Sequence, residues 1–142
     1  MSISIVTFGV AANSGSNSLS IGASYTRVAG DFLVAVVGSY RASSGVSAGW
    51  TQFVSTGSSG QYLRAAWRIA DGTDNDDLTY SFTSSGQSAG AMAGFRSTIG
   101  FDATAIDKNQ YNVGVTSADT YALAGSLTGV TAGQLPVVIG GE

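Results

Sequence analysis

Residues 61–83, QYLRAAWRIADGTDNDDLTYSFT, decide the fold of this chain. In residues 62–69 the side chains alternate between an apolar set and a set that includes the two arginines. The first set is Leu63, Ala65, Trp67 and Ile69, and the second is Tyr62, Arg64, Ala66 and Arg68. In the last part, Leu78, Tyr80 and Phe82 alternate with hydroxyl residues. A period of two with an intervening polar turn predicts two half-buried antiparallel strands.

The same period continues outward along the chain. Gly- and Ser-rich stretches at 13–18, 43–45, 56–60 and 84–87 divide the remaining alternating segments, and we expect them to be loops. Short strands at this spacing without helical periodicity predict an all-β fold, an antiparallel two-sheet β-sandwich of jelly-roll or Ig-like type. We expect one domain over residues 1–142, with 1–27 as an N-terminal docking segment.

Three places depart from the alternation. Ile3 and Ile5 share one phase while Val6, Phe8 and Val10 share the other, which predicts a bulge near Ile5 or a strand that changes sheet. DFLVAVVGSY (31–40) is apolar on both faces from 32 to 37, so something beyond a two-layer sandwich must cover it. Gly90 and Gly94 flank Met92 on one face, which predicts close approach of another backbone or side chain.

The composition argues against catalysis. The chain has no His and no Cys, a single Lys (Lys108) and a single Glu (Glu142). The Ser and Thr hydroxyls therefore lack an ordinary general base, and no spacing brings two Asp residues together as an acid–base pair. We expect a protein that is not an enzyme and needs no cofactor.

The charge pattern limits the partners. Only 11% of residues are charged, the net charge is −3, and no basic cluster occurs. Nucleic-acid binding needs concentrated Lys and Arg, so we expect no nucleic-acid partner. The longest apolar run is far too short for a membrane-spanning helix, so we expect no membrane partner. A surface this poor in charge suits contact with neighbouring subunits, which predicts a homo-oligomer.

An acidic loop is the one candidate metal site. It contains Asp71, Asp74, Asp76 and Asp77. Calcium prefers several carboxylates on a flexible loop, but the spacing matches no EF-hand and no Glu closes it. A polar connection between two strands explains the same residues, and we favour that interpretation.

Because side chains alternate between the two faces of a strand, we expect Tyr62 to lie with Arg64 and Arg68 on the polar face. An aromatic residue on the same strand face as two arginines can contact a partner subunit or, with Arg64 and Trp50, bind a glycan. We favour the subunit interface, and Trp50 can equally be a core residue.

The order of landmarks resembles small β-sandwich domains of tailed-bacteriophage virions. The landmarks are Gly30-Asp31 with the apolar run to Val37, Gly49-Trp50-Thr51, Arg68-Ile69-Ala70, the acidic turn, Thr79-Tyr80-Ser81-Phe82, and Ala89 through Phe95-Arg96. The resemblance covers roughly residues 28–100, leaving out the first 27 residues and 101–131. It implies an assembly role in phage tail, fibre or capsid-decoration proteins, without catalysis.

Together these observations predict a virion structural protein. We expect a capsid decoration or cement protein that oligomerises, with a trimer favoured, and binds the capsid surface. A tail or fibre subunit and a glycan-binding module for host attachment are the alternatives. AGQLPVVIGG (132–141) repeats features of AGDFLVAVVGS (29–39), and both chain ends suit intersubunit strand pairing. The expected interface residues are Ile3, Ile5, Phe8, Tyr62, Arg64, Arg68, Leu135 and Val137.

Overall fold

The computed structural model of the protein describes residues 2–22, 28–58, 60–73 and 77–101. Within these residues the regular structure is entirely β-strand. The strands are β1 (Ile3–Ile21), β2 (Phe32–Ser39), β3 (Ser43–Val46), β4 (Thr51–Ser58), β5 (Gln61–Ile69) and β6 (Leu78–Ser97). The all-β prediction is confirmed for the described part of the chain.

All six strands belong to one antiparallel sheet. Its main path runs β1-β6-β2-β5-β4, and β3 pairs with β6 off this path. The sheet is not closed into a barrel, because in the described residues β1 and β4 each have one strand neighbour. The long strands β1 and β6 pair along most of their length, and β2 lies at the centre of the path.

The central strand β2 is buried on both faces. Phe32 and Val34 point to one face, which we call the outer face, and are 5% and 4% exposed. Leu33, Ala35 and Val37 point to the inner face and are completely buried. The apolar pattern on both faces thus corresponds to burial on both faces, and the fold depends on how each face is covered.

The inner face is covered by the far ends of β1 and β6. Both strands bend where their register shifts between Asn13 and Ser18, while the partner on β6 changes from Gly86 to Ser81. The Asn13 carboxamide holds the bend, since its oxygen accepts hydrogen bonds from the backbone N–H groups of Gly15 and Ser16 and its nitrogen donates to the Ser18 carbonyl. The stretches 13–18 and 84–87 are thus bends inside long strands, and 43–45 lies within β3, so the prediction that these three stretches are loops between strands is wrong.

Beyond the bend, the strand ends fold back over the sheet and complete one hydrophobic core. Leu19 and Ile21 of β1 and Leu78, Tyr80 and Phe82 of β6 pack in one cluster with the inner-face residues of β2. The three β6 positions alternate as the sequence predicts, and all are buried. The same two strands therefore contribute to the sheet and to the layer that covers it.

Gly90 permits this close packing. A Cβ at this position would lie 2.8 Å from the Ile21 side chain, from the Val36 carbonyl and from the Val37 side chain. Gly94 is similarly crowded by Thr7 and Leu33. The predicted close approach beside Met92 is confirmed.

Replacement of Gly90 by Ala should destabilise the fold by about 1–3 kcal/mol, because the added methyl group overpacks the contact with Ile21. Gly38→Ala is the matched control, since a Cβ at this strand position would meet nothing within 4 Å. Urea unfolding of both variants measures the difference. Equal midpoints for the two would show that the fold-back layer does not lie against Gly90.

Candidate assembly interface

An apolar strip lies exposed along β1. A register shift between Ile5 and Thr7 confirms the predicted bulge and brings Ile5, Phe8 and Val10 onto the outer face. Their partners across the ladder are Phe95, Ala93 and Ala91. Ile5, Phe8 and Val10 are 73%, 69% and 70% exposed, and we call these three residues the β1 strip. Three large exposed side chains on one strand form a contiguous apolar surface of the kind found at protein interfaces.

The strip lies on an edge strand without the usual protection. Within the described residues β1 pairs only with β6, so its other backbone edge faces no strand. Over 19 residues, ISIVTFGVAANSGSNSLSI, it contains no charged residue and no proline. Charges, prolines and short edge strands are the common devices that prevent edge-to-edge pairing. Bulges are a further such device, and the bulge between Ile5 and Thr7 lies beside the exposed side chains instead of removing them.

The remaining predicted interface residues lie in several places. Ile3 is half-buried and packs against Phe32 and its neighbours on the outer face. Tyr62 is half-buried, with its ring 5.0 Å from the Arg64 guanidinium carbon. Leu135 and Val137 lie outside the described residues. Of the predicted residues, only Ile5 and Phe8 belong to the exposed strip, which also includes Val10.

A second apolar group occupies the centre of the outer face. We call Phe32, Val34, Trp67, Phe95 and Phe101 the outer cluster. The Phe32 ring is central, with ring centroids at 6.1 Å from Trp67, 6.3 Å from Phe95 and 5.5 Å from Phe101. The position of Trp67 on the apolar face of β5 predicts a core residue, and Trp67 does pack in a hydrophobic cluster. This cluster lies on the outer face of the sheet.

Arg64 is buried, and the prediction that it lies on an exposed polar face is wrong. It is 2% exposed and donates hydrogen bonds to the Ser39 hydroxyl at 2.7 Å and to the Arg41 carbonyl at 3.0 Å. The Phe82 ring lies 5.8 Å away, and burial lowers the pKa of the guanidinium from its ordinary value. The polar side of β5 faces the fold-back layer, which alternation within β5 alone does not reveal.

Arg68 is also buried, so its predicted exposure is wrong as well. It is 8% exposed, donates to the Ala48 carbonyl and forms an ion pair with Asp71 at the start of the acidic loop. The hydroxyl and the backbone N–H of Thr73, with Arg68, lower the pKa of the exposed Asp71 carboxyl. Neither buried arginine presents its guanidinium to a partner subunit.

The acidic loop is only partly described. Asp74 and Asp76 lie outside the described residues, while Asp71 and Asp77 are both exposed. No group of three or more potential metal ligands occurs in the part of the chain that the structure describes. The contacts of Asp71 account for it as a turn residue that holds Arg68.

The expected glycan residues are not exposed together. Trp50 is 6% exposed and belongs to the inner core, and its indole N–H has no hydrogen-bond partner among the described residues. With Arg64 buried as well, only Tyr62 of the three retains partial exposure. A stacking platform for a sugar ring needs an accessible aromatic face, so these residues do not form one.

Sequence reasoning missed an ion pair between a buried carboxylate and a partly exposed arginine. Asp31 is 1% exposed, and each of its carboxylate oxygens accepts a hydrogen bond at 2.7 Å from Arg96. The backbone of Asp31 also accepts a hydrogen bond from the N–H of Ala70. The pair joins the start of β2 to the end of β6, and both residues belong to the quoted landmarks. No rule of sequence spacing pairs these two residues, because they lie 65 positions apart in the chain.

The described residues contain no helix of the length and apolarity that a membrane-crossing helix needs. Comparison with models of known protein families, with curated protein sequences and with solved structures finds no match.

Asp31→Asn should destabilise the protein by about 2 kcal/mol, because the substitution removes the charge that pairs with Arg96 at a buried position. Asp77→Asn is the control, since it removes one negative charge at an exposed position and should change stability much less. Chemical denaturation at pH 7 measures both. An Asp31 variant as stable as the Asp77 variant would contradict the assigned role of the ion pair between Asp31 and Arg96.

Tyr80 should make the fold sensitive to alkali. Burial raises the pKa of its phenol from 10.0 to about 12, so its contribution to stability is complete below pH 10 and is lost as the pH rises towards 12. Its hydroxyl has no hydrogen-bond partner in the part of the chain that the structure describes, so Tyr80→Phe should leave stability at pH 7 unchanged or slightly higher. Thermal unfolding between pH 8 and 12 should show a smaller alkaline loss in the variant. Parallel curves for the two proteins would show that Tyr80 does not titrate in this way.

Proposed function

We propose that this chain is a non-enzymatic structural protein that self-associates through β1. The single observation that supports this most is the β1 strip, a run of large apolar side chains on an uncharged edge strand. A second copy of the chain is the partner that we assign to it. Two β1 edges carry no charges to repel one another, and each supplies the backbone donors and acceptors that the other lacks.

The way in which two copies of the chain contact each other through β1 determines the number of subunits in the assembly. Pairing of one β1 edge with another β1 edge is isologous and gives a two-fold dimer. The trimer favoured by the sequence requires instead that the β1 strip contact a different surface of the neighbouring subunit. We propose the homo-oligomer through β1, and its mass distinguishes these two arrangements.

We further propose that the assembly belongs to a bacteriophage virion and decorates or cements its capsid. The support is the resemblance of residues 28–100 to small virion β-domains, together with the low charge and the exposed strip. A tail or fibre subunit would use the same surface. The folded sheet, in which β1 and β6 cover their own inner face, is the basis for proposing a two-sheet sandwich of jelly-roll or Ig-like type.

A single charge on the β1 strip should strongly weaken self-association. Phe8→Asp places a carboxylate where the side chain is 69% exposed, so folding should persist while the dissociation constant of the assembly rises at least ~30-fold, about 2 kcal/mol. Ser81→Asp, at an exposed position of β6, is the charge-matched control. Analytical ultracentrifugation gives the masses, and circular dichroism verifies the fold. A folded Phe8→Asp variant with the wild-type mass would rule out the β1 strip as the interface.

The virion assignment has its own experiment. Purified particles of the source phage should contain the wild-type protein at fixed stoichiometry, and the Ser81→Asp protein should add back to depleted particles equally well. The Phe8→Asp protein should fail to add. Particles that contain none of this chain would contradict the virion role while leaving self-association through β1 intact.

A further inference from the structure

We infer that the β1 strip of one copy packs face to face on the outer face of a second copy, beside the outer cluster of that copy. This inference rests on the proposed self-association through β1, and it names the surface of the partner that the strip contacts. That surface consists of the outer-face residues of β2 and β6 nearest the bend. We call it the outer patch: Val36, Gly38, Ala89 and Ala91.

The strand register places the outer patch directly beside the β1 strip. Val10 pairs with Ala91, and Ala91 pairs with Val36, so these three side chains point to the same face of the sheet. Two residues further along both strands, Ala89 pairs with Gly38. Ala89 is exposed, while the other three residues of the outer patch are half-buried. This part of the outer face is therefore accessible, whereas the centre of the outer cluster is not.

Edge pairing alone does not cover the β1 strip. When two β1 edges pair, their backbones join in one sheet, but the side chains of a strand point out of the plane of its sheet. Ile5, Phe8 and Val10 would then still stand on an open face of the joined sheet. Burial of these side chains needs an apolar surface that lies on top of that face.

The outer patch of a second copy fits the β1 strip in charge and in size. Neither surface contains a charged residue, so their contact buries no ion and brings no like charges together. The strip presents large side chains, whereas Gly38, Ala89 and Ala91 leave the partner surface low. Sheets that pack face to face interdigitate large side chains of one sheet with small side chains of the other.

Gly38 gives a separate reason to place a partner on this surface. Glycine in the interior of a strand is destabilising relative to alanine, and it usually marks the close approach of another group. At Gly90 and Gly94 that group belongs to the chain itself. At Gly38 a Cβ would meet nothing within 4 Å in the part of the chain that the structure describes. We assign the approaching group to the β1 strip of the second copy.

One two-fold axis satisfies both contacts at once. The β1 strip and the outer patch lie side by side on the same face of one copy. A second copy turned over onto that face places its strip on the patch of the first copy and receives the strip of the first copy on its own patch. The contact is isologous, and it leaves the backbone edge of β1 available for pairing.

Gly38→Asp tests the outer patch without a change in the β1 strip. Since a Cβ at Gly38 has open space, the dilute variant should unfold at the same urea concentration as the wild-type protein. Its dissociation constant in sedimentation equilibrium should rise at least ~10-fold, because the carboxylate would be buried beneath the partner. Ser81→Asp, at an exposed position beyond the bend, is the charge-matched control and should associate like the wild-type protein.

The outcomes separate this inference from the proposed function. A folded Gly38→Asp protein with the wild-type dissociation constant, beside a dissociated Phe8→Asp protein, would overturn the inference and leave self-association through β1 intact. Wild-type association with a lowered unfolding midpoint would also overturn it, since the covering group would then belong to the same chain. A wild-type protein that is monomeric at every concentration would contradict both.

Crosslinking gives a second measurement that introduces no charge, and the natural sequence has no cysteine to interfere. Gly38→Cys is mixed with an isotope-labelled Val10→Cys or Ala12→Cys chain, so every crosslink joins two copies. Sheets packed face to face lie about 10 Å apart, which a short bismaleimide spans, whereas edge pairing alone places β1 of one copy three strand spacings, about 14 Å, from β2 of the other.

At least one of these two mixtures should give crosslinked pairs of mixed mass, detected by mass spectrometry. Ser81→Cys in place of Gly38→Cys is the control and should give none. Crosslinks only between two copies of the same β1 variant would show edge pairing without face-to-face packing and would overturn the inference.

Discussion

Burial of β2 on both faces is the constraint on which the rest of the structure depends. A strand at the centre of a sheet with Phe32 and Val34 on one side and Leu33 and Val37 on the other needs an apolar layer above and below it. On the inner side, β1 and β6 are long enough to bend and return over their own sheet, and Gly90 leaves room for Ile21 to lie there. The bend at Asn13 and the crowded glycines are thus consequences of one requirement.

The distribution of polar groups follows from the same requirement. Because the inner face is closed by the fold-back layer, the guanidinium groups of Arg64 and Arg68 are buried and must find acceptors within the chain. Arg64 finds Ser39 and the Arg41 carbonyl, and Arg68 finds Asp71. In a chain with only 11% charged residues, several charges are thereby used inside the fold. The whole of β1 carries no charge and its β1 strip is apolar, which is the basis of the proposed assembly.

Much of the local structure could be predicted from the sequence, and the failures have a common physical cause. Period-two alternation located β5 and the start of β6, and the phase change at Ile5 predicted the bulge that exposes Phe8. Alternation does not show which face of a strand meets which layer. It therefore predicts an exposed Arg64, although the folded-back strands bury this residue. The stretch 13–18 has loop composition, yet Asn13 supports a bend within a strand. The pair of Asp31 and Arg96 is a contact across the sheet that no local pattern encodes.

We propose that the uncharged β1 edge makes this chain a subunit of an assembly. Sedimentation equilibrium of the unmodified protein over a wide concentration range tests it most directly. We predict the mass of a closed homo-oligomer that dissociates on dilution towards the single chain of 14.3 kDa. A mass of one chain at every concentration would contradict the account.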